Sequence, residues 1–207
     1  MPQKTDNPTA RLEAFSDGVF SIAITVLVFN IQVPRNLPPD KTLLTALLEL
    51  WPSYLGYLLG FFLIGIMWIN HHNLFKLVGR STHMLMVFNG LLLLSIALVP
   101  FTSALLAEYL QTGEAQTATL VFNGLGFFVA LFFNLLWWYM SQQRRLIHAD
   151  VEQKVVDAIS ASYRFGPVFY LVAIGATLFG AFWGILVNLG LAVFFALPLN
   201  TALFEGD

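Results

Sequence analysis

The sequence predicts an all-α integral membrane protein in which one domain, residues 1–207, contains six transmembrane helices. The first observation is composition: of the 207 residues 57% are hydrophobic and only 11% are charged, against about 25% charged in an average soluble domain. The second is that charged residues are absent from five long runs, of 17, 26, 27, 29 and 40 residues. Together with a mean hydropathy of +0.73, these features disfavour a soluble globular enzyme.

Each charge-free run has the length of one or two membrane crossings. A spanning helix needs about 20 apolar residues, so the four shorter runs fit one helix each. The run of 40 residues would be about 60 Å long as a helix, which fits two crossings with a turn near Gly180. None of the runs shows the alternating polarity of a β-barrel strand. The predicted spans are residues 9–33, 52–77, 82–109, 116–141, 163–179 and 182–202.

The segments between the spans carry the turn signals and most of the charges. Three prolines between residues 34 and 39 end the first helix and predict an outer loop. Residues 42–51 form either a short helix at the membrane interface or an early start of the second span. Residues 142–162 contain the charge run RRLIHADVEQK and predict a solvated connecting helix.

The distribution of Lys and Arg predicts the orientation of the chain, because cytoplasmic loops carry an excess of both. With the N-terminus inside, the inner segments hold eight of these residues and the outer loops hold two, Arg35 and Lys41. We therefore expect a multi-pass protein of the plasma membrane with both termini cytoplasmic. Its polar start does not resemble a cleaved signal peptide. The inner set is Lys4, Arg11, Lys76, Arg80, Arg144, Arg145, Lys154 and Arg164.

The net charge and the cysteine content limit the kinds of binding and catalytic site that the protein can contain. A net charge of −2 provides no basic field for nucleic acid. Because the chain has no cysteine, a disulfide, a thiolate metal site and a cysteine nucleophile are excluded. His71 and His72 are adjacent, so on a helix they point about 100° apart and do not form the chelating pair that i, i+4 histidines form. The sequence therefore predicts no metal, no cofactor and no enzyme.

The first predicted helix contains an unusual number of polar residues. Polar side chains in a spanning helix are costly and face protein or water. Asp17, Ser21 and Thr25 follow an i, i+4, i+8 spacing and share one side of the helix. Arg11 and Asp17 are six residues apart, about 240° around the helix. Each therefore needs a partner on another helix or another subunit.

Apolar residues form a second stripe on the same helix. Ile22, Val26 and Phe29 follow the helical period, and Thr25 borders them. Such stripes are common in ordinary helix packing and lipid contact. A threonine hydroxyl also bonds readily to its own helix. The residues alone leave these alternatives open.

Two motifs resemble those of a known family. The segment Arg11–Phe29, RLEAFSDGVFSIAITVLVF, is similar to the R-x-x-x-F-S-D-(G/A) opening of the transmembrane protein 175 potassium channels, best known from endosomes and lysosomes. The segment Trp68–Phe75, WINHHNLF, resembles the W-x-x-H pattern of the family's second helix. Prokaryotic members have a single six-helix unit per chain, so the resemblance extends over nearly the whole sequence.

The resemblance implies a homotetramer in the lipid bilayer that passes K⁺ and other monovalent cations through a central pore lined by the first helices. Ile22 is then the hydrophobic constriction, and Thr25 contributes to selectivity. Val26 and Phe29 continue the lining, although the family more often carries Leu at these sites. A ring of neutral hydroxyls implies only modest K⁺ over Na⁺ selectivity. The family's structural polar network maps onto Arg11, Phe15, Ser16, Asp17, Trp68, His71 and His72.

Two other functions compete with a channel. A secondary transporter often shows internal repeats and broken helices, but the chain has no second FSD motif and Pro100 is its one obvious mid-span breaker. A membrane redox enzyme using Arg11, Asp17, His71 and His72 would need these groups to converge in a pocket, whereas they cluster near the inner surface. The sequence therefore favours the channel over both.

Overall fold

The computed structural model describes residues 9–35 and 37–196, and these residues are all-α apart from loops and one isolated β-bridge. Helix α1 continues into a short 3₁₀ turn, Leu27–Asn30. The helices are α1 Ala10–Val26, α2 Leu43–Glu49, α3 Trp51–Phe75, α4 His83–Ala97, α5 Val99–Tyr109, α6 Ala115–Ser141, α7 Gln153–Arg164, α8 Gly166–Thr177 and α9 Ala181–Ala196.

Four helical segments of the described chain are long and apolar enough to cross a membrane. Their most apolar windows have mean hydropathies between 1.6 and 2.3 and carry at most two charged residues. They agree with the first four predicted spans within a few residues. The protein is therefore a multi-pass membrane protein. The four segments are Ala10–Asn30, Trp51–Phe75, His83–Tyr109 and Ala115–Ser141.

The last two predicted spans are shorter in the structure. Helix α8 has 12 residues, because the chain bends at Phe165 and restarts with Pro167 in the first turn of α8. Helix α9 has 16 described residues, and the predicted end of this span, residues 197–202, lies outside the described part. Gly180 joins the two helices at φ +137°, a conformation that glycine adopts readily. By length, the described residues support four spans, and the count of six remains a prediction.

Pro100 interrupts the third span, as the sequence predicts. Helix α4 ends at Ala97 and α5 begins at Val99, with Pro100 in its first turn. Proline lacks the N–H that would continue the helical hydrogen bonds. The Asn30 side-chain amide donates to the Pro100 carbonyl over 3.0 Å, so the break is tied to the end of the first span.

The segment after α6 differs from the predicted connecting helix over residues 142–162. Only its second half, α7, is α-helical, and its start, Gln142–Arg144, forms a short 3₁₀ turn. The chain turns at Arg144, which has a φ of +51°, and then pairs with the loop after α3 through an antiparallel bridge between Val78 and Ile147. Both of these side chains are buried. Burial of two apolar side chains and two backbone hydrogen bonds outweighs the helical preference of this stretch.

Residues 42–51, for which the sequence left two alternatives, form a separate short helix. The Thr42 hydroxyl caps α2 by accepting from the backbone N–H of Thr45 at 3.2 Å. Leu50 leaves the helical conformation, which separates α2 from α3. Helix α3 begins at Trp51 and has Pro52 in its first turn. Proline in a first helical turn is favourable because its missing N–H has no partner there.

Candidate functional site on the first helix

One face of α1 is buried against the rest of the chain. Ser16, Phe20, Ala23 and Leu27 are at most 5% exposed and repeat with the 3.6-residue period of a helix. This stripe packs against α3, α4 and the start of α5. It fixes the rotation of the first helix in the bundle.

The opposite face of α1 is not covered by the chain. Ile22 and Phe29 are 65% and 77% exposed, and Thr25 is exposed as well. At about 100° per residue in α1 and about 120° in the 3₁₀ turn that carries Phe29, these three side chains lie within roughly 80° of one another, opposite the buried stripe. Val26, 39% exposed, lies at the edge of this face. The bare face of α1, defined by Ile22, Thr25 and Phe29, is available to lipid, to another subunit or to a water-filled pore.

The hydroxyls on α1 are bonded to its own backbone. Thr25 Oγ1 lies 2.8 Å from the Ser21 carbonyl oxygen and 3.0 Å from that of Ile22. Ser21 Oγ donates to the Gly18 carbonyl at 3.0 Å. A hydroxyl that donates backwards keeps its lone pairs, so the outward side of Thr25 Oγ1 remains an acceptor. This geometry is compatible with two roles for the Thr25 hydroxyl. It can bond only within its own helix, or it can also present its oxygen to a cation.

A buried polar cluster links α1, α3 and α4. Ser16 Oγ donates to the Leu12 carbonyl at 2.8 Å and accepts from Asn89 Nδ2 at 2.9 Å. That fixes the Asn89 amide so that its Oδ1 faces His71 Nε2, 2.8 Å away. His71 Nε2 is therefore the protonated ring nitrogen. The His71 ring is 1% exposed and stacks on Phe75 with a centroid distance of 4.3 Å.

Sequence reasoning missed Asn89. The signal was present: an amide stands alone in the apolar run HMLMVFNGLLLLSIA of α4, and isolated polar residues in a span usually have a partner inside the protein. Its partners Ser16 and His71 lie far from it in sequence. Three helices therefore meet at this one side chain.

A second contact joins α1 and α3 at the protein surface. Trp68 Nε1 donates to Asp17 Oδ1 at 2.9 Å, which supplies Asp17 with a partner on another helix. His72 stacks on the Trp68 indole with a centroid distance of 6.2 Å. Asp17, Trp68 and Ser21 line an open groove of about 450 Å³ between the two helices. Asp17 is exposed in the single chain, not buried as its place in a spanning helix would suggest.

Among the described residues, no hydrogen bond joins Arg11 or Phe15 to either cluster. Arg11 is exposed, and Phe15 is 65% exposed. Both line another groove, between α1 and α4, together with Met86. Arg11 forms no ion pair with Asp17 in the described residues, in agreement with their separation around the helix. The structure thus divides the expected polar network into a buried part, a surface part and two side chains outside both.

A third polar cluster, which the sequence did not predict, connects the α8–α9 hairpin to α6. Asn123 Nδ2 donates to Thr177 Oγ1 at 2.9 Å. Asn123 Oδ1 accepts from Asn188 Nδ2 at 2.6 Å, and Gln116 Nε2 donates to the Thr177 carbonyl at 2.9 Å. The cluster holds the hairpin in register and lies away from α1. Within the described ranges no three His, Asp or Glu residues come close enough to hold a metal ion.

Known proteins share this sequence and fold. Residues 11–100 match the model of the family described as endosomal/lysosomal potassium channel TMEM175. The chain is 45% identical to a protein of Chamaesiphon minutus named a potassium channel, over 93% of this chain and 95% of that protein. It is 40% identical to one of Streptomyces collinus with the same kind of name, over 82% of each.

A solved structure agrees with the sequence relatives. The crystal structure of a lysosomal potassium-selective channel TMEM175 homolog from Chamaesiphon minutus superposes with a TM-score of 0.84 at 44% identity, over 93% of this chain and 98% of that one. Identity at this level over almost the full length of both chains exceeds what a shared helical architecture alone produces. The chain belongs to the TMEM175 family.

Proposed function

We propose that the protein is a potassium-permeable channel that conducts K⁺ and other monovalent cations passively, without a cofactor or an enzymatic step. Family membership supports this proposal, as do the relatives named potassium channels. The observation that carries it furthest is the bare face of α1. In a spanning helix, a face that combines Ile22, Thr25 and Phe29 and lacks cover from its own chain suits a pore.

Four copies of a single six-helix unit would surround the pore with four first helices. A ring of Ile22 side chains narrows it and closes it by excluding water, as hydrophobic constrictions do. Thr25 hydroxyl oxygens replace part of the water shell of the ion. Because hydroxyls are neutral, we expect modest K⁺ over Na⁺ selectivity. Phe29 lines the pore about one turn beyond Thr25, and Val26 flanks it.

We further propose a plasma-membrane location with both termini cytoplasmic. Eight of the ten Lys and Arg residues fall on the inner side in this orientation, as the positive-inside rule requires. The Ser16–Asn89–His71 cluster then lies near the inner end of the bundle. It holds the first helix at the rotation that presents Ile22 and Thr25 to the pore.

The test is K⁺ flux into liposomes that contain the purified protein. We expect the Ile22→Ala variant to raise flux, because it removes bulk from the constriction, and Thr25→Ala to reduce discrimination between K⁺ and Na⁺. Leu94→Ala, at a 59% exposed apolar position on α4, serves as the control and should behave as the parent. Parent liposomes without K⁺ flux, or with saturable coupled exchange, would contradict the channel proposal.

A further inference from the structure

A small cavity lies inside the bundle where α3, α6, α8 and α9 meet. Its volume is about 20 Å³, more than the roughly 10–15 Å³ that a single water molecule needs. The α3 residues that line it lie between positions 59 and 67, in the middle of the spanning segment Trp51–Phe75. None of the described residues that line it belongs to α1. The cavity is therefore at mid-membrane depth and separate from the bare face of α1.

Tyr170 of α8 and Asn188 of α9 are the polar residues among the described residues that line this cavity. Each is only 6% exposed, and the rest of the lining is apolar. A polar atom without a hydrogen bond is costly in such surroundings, because the bilayer core holds no bulk water that could bind it.

Both residues have a side-chain oxygen that lacks a partner in the part of the chain that the structure describes. The Asn188 amide is oriented by its nitrogen, since Nδ2 donates to Asn123 Oδ1 at 2.6 Å and to the Gly184 carbonyl at 3.0 Å. No donor reaches Asn188 Oδ1 in this orientation. The hydroxyl of Tyr170 makes no hydrogen bond either.

These two oxygens differ from the hydroxyl of Ser103, which also lacks a partner. Ser103 Oγ is the one fully enclosed side-chain oxygen or nitrogen of the described residues without a hydrogen bond. Tyr170 Oη and Asn188 Oδ1 are not fully enclosed, so each retains some accessible surface. Both residues are otherwise buried and line the same cavity, so this surface faces the cavity.

We propose that the cavity binds one water molecule, which bridges Tyr170 Oη and Asn188 Oδ1. The amide oxygen only accepts, so the water donates to it, whereas the phenol can donate to the water or accept from it. Buried waters typically make two to four hydrogen bonds to polar groups that would otherwise have no partner. The bridge adds a link between α8 and α9 on the side of α3. It extends the polar cluster of Asn123, Thr177 and Asn188 to Tyr170.

The first test is denaturation of the purified Tyr170→Phe variant in micelles. Phenylalanine keeps the ring that packs against α6 and removes only the hydroxyl. We expect the equilibrium constant for unfolding to rise about fivefold, the effect of losing one hydrogen bond. A hydroxyl that bonded to nothing would be removed without such a loss.

Tyr163→Phe is the matched control. Tyr163 packs against Phe133 with a centroid distance of 5.0 Å and does not line the cavity, and within the described residues its hydroxyl also makes no hydrogen bond. Its removal should leave the unfolding equilibrium nearly unchanged. A Tyr170→Phe variant that is as stable as the parent, or that loses no more stability than the control, overturns the proposal.

The second test is a crystal structure of the parent and of Tyr170→Phe in which ordered water is visible. We expect density for one water within hydrogen-bond distance of both oxygens in the parent, and none there in the variant. A direct bond between Tyr170 and Asn188, a lipid chain in the cavity, or no density between the two oxygens overturns the proposal. Neither test depends on K⁺ conduction, so the water site and the channel proposal stand or fall separately.

Discussion

Asn89 links the first helix to two other helices. Its amide donates to Ser16 and accepts from His71, so a single side chain joins three helices inside the bundle. A buried donor or acceptor left without a partner costs about 1–3 kcal/mol. Both partners lose their bond when the amide is removed.

We therefore expect Asn89→Leu to lower the unfolding free energy by about 1–3 kcal/mol, measured by denaturation of the purified protein in micelles. Asn134→Leu is the matched control. Asn134 is also on a spanning helix, but within the described part of the chain its amide donates only to the Ala130 carbonyl of its own helix, at 2.9 Å, and its loss should cost less. Equal losses at both sites would show that Asn89 has no special role in holding α1.

Ser103 presents the opposite case. Its Oγ is the one buried side-chain oxygen or nitrogen of the described residues without a hydrogen-bond partner, and it lies where α5 approaches Gly60 of α3. A buried hydroxyl that makes no bond contributes no favourable energy to offset its desolvation.

Ser103→Ala is expected to leave the Tm in detergent unchanged or to raise it. Thr102→Val is the comparison, because the neighbouring Thr102 hydroxyl donates to the Val99 carbonyl at 3.1 Å and its removal should lower the Tm slightly. A drop of several degrees for Ser103→Ala alone would mean that the hydroxyl has a partner, such as a water molecule.

At the scale of elements, the contact between α6 and the α8–α9 hairpin depends on a glycine. A Cβ at Gly126 would lie 2.3 Å from Cε1 of Tyr170, whereas a Cβ at Gly124 would meet nothing within 4 Å. The buried Asn123 amide beside them binds the hairpin through Thr177. Close approach and polar contacts together hold these two short helices.

Gly126→Ala should therefore destabilise the protein by about 1–3 kcal/mol, the usual cost of overpacking a filled interface. Gly124→Ala, two residues away on the same helix, should have no such cost, and alanine is the better helix former. Thermal unfolding of both variants in the same detergent makes the comparison. Similar Tm values for the two would contradict the tight contact.

For the whole molecule, the rotation of α1 determines which of its faces the rest of the chain leaves uncovered. The bundle buries Ser16, Phe20 and Ala23 and leaves the face with Ile22 and Thr25 bare. In a single chain, no other part of the protein covers this face. In the proposed tetramer, the four copies of the face surround a water-filled pore.

The absence of cysteine makes this face directly testable. We expect a Thr25→Cys protein in liposomes to lose K⁺ flux when a water-soluble, charged methanethiosulfonate reagent is added, because the new thiol faces the pore. Leu94→Cys on the outside of α4 should be insensitive. If Thr25→Cys is neither modified nor inhibited, Thr25 does not face water, and the assignment of the pore face is wrong.

The sequence by itself determined the membrane class, the first four spans, the break at Pro100 and the family. These follow from local hydropathy, backbone chemistry and two short motifs, which need no knowledge of what packs where. The pairing of Asp17 with a group on another helix was also predictable in kind, because a carboxylate in a span needs a partner. The family motif assigned Trp68 to the same polar network, but only the structure pairs it with Asp17.

Only the tertiary structure decided which residues meet across the chain. Asn89 became the centre of a hydrogen-bonded cluster, and Val78 came to pair with Ile147, because distant segments pack together. The same packing replaced half of the predicted helix at residues 142–162 with a bridged loop. At these residues, the burial of apolar side chains and long-range hydrogen bonds outweighed the local preference for helix. The periodicity of the sequence does not indicate which distant residues become contact partners in the fold.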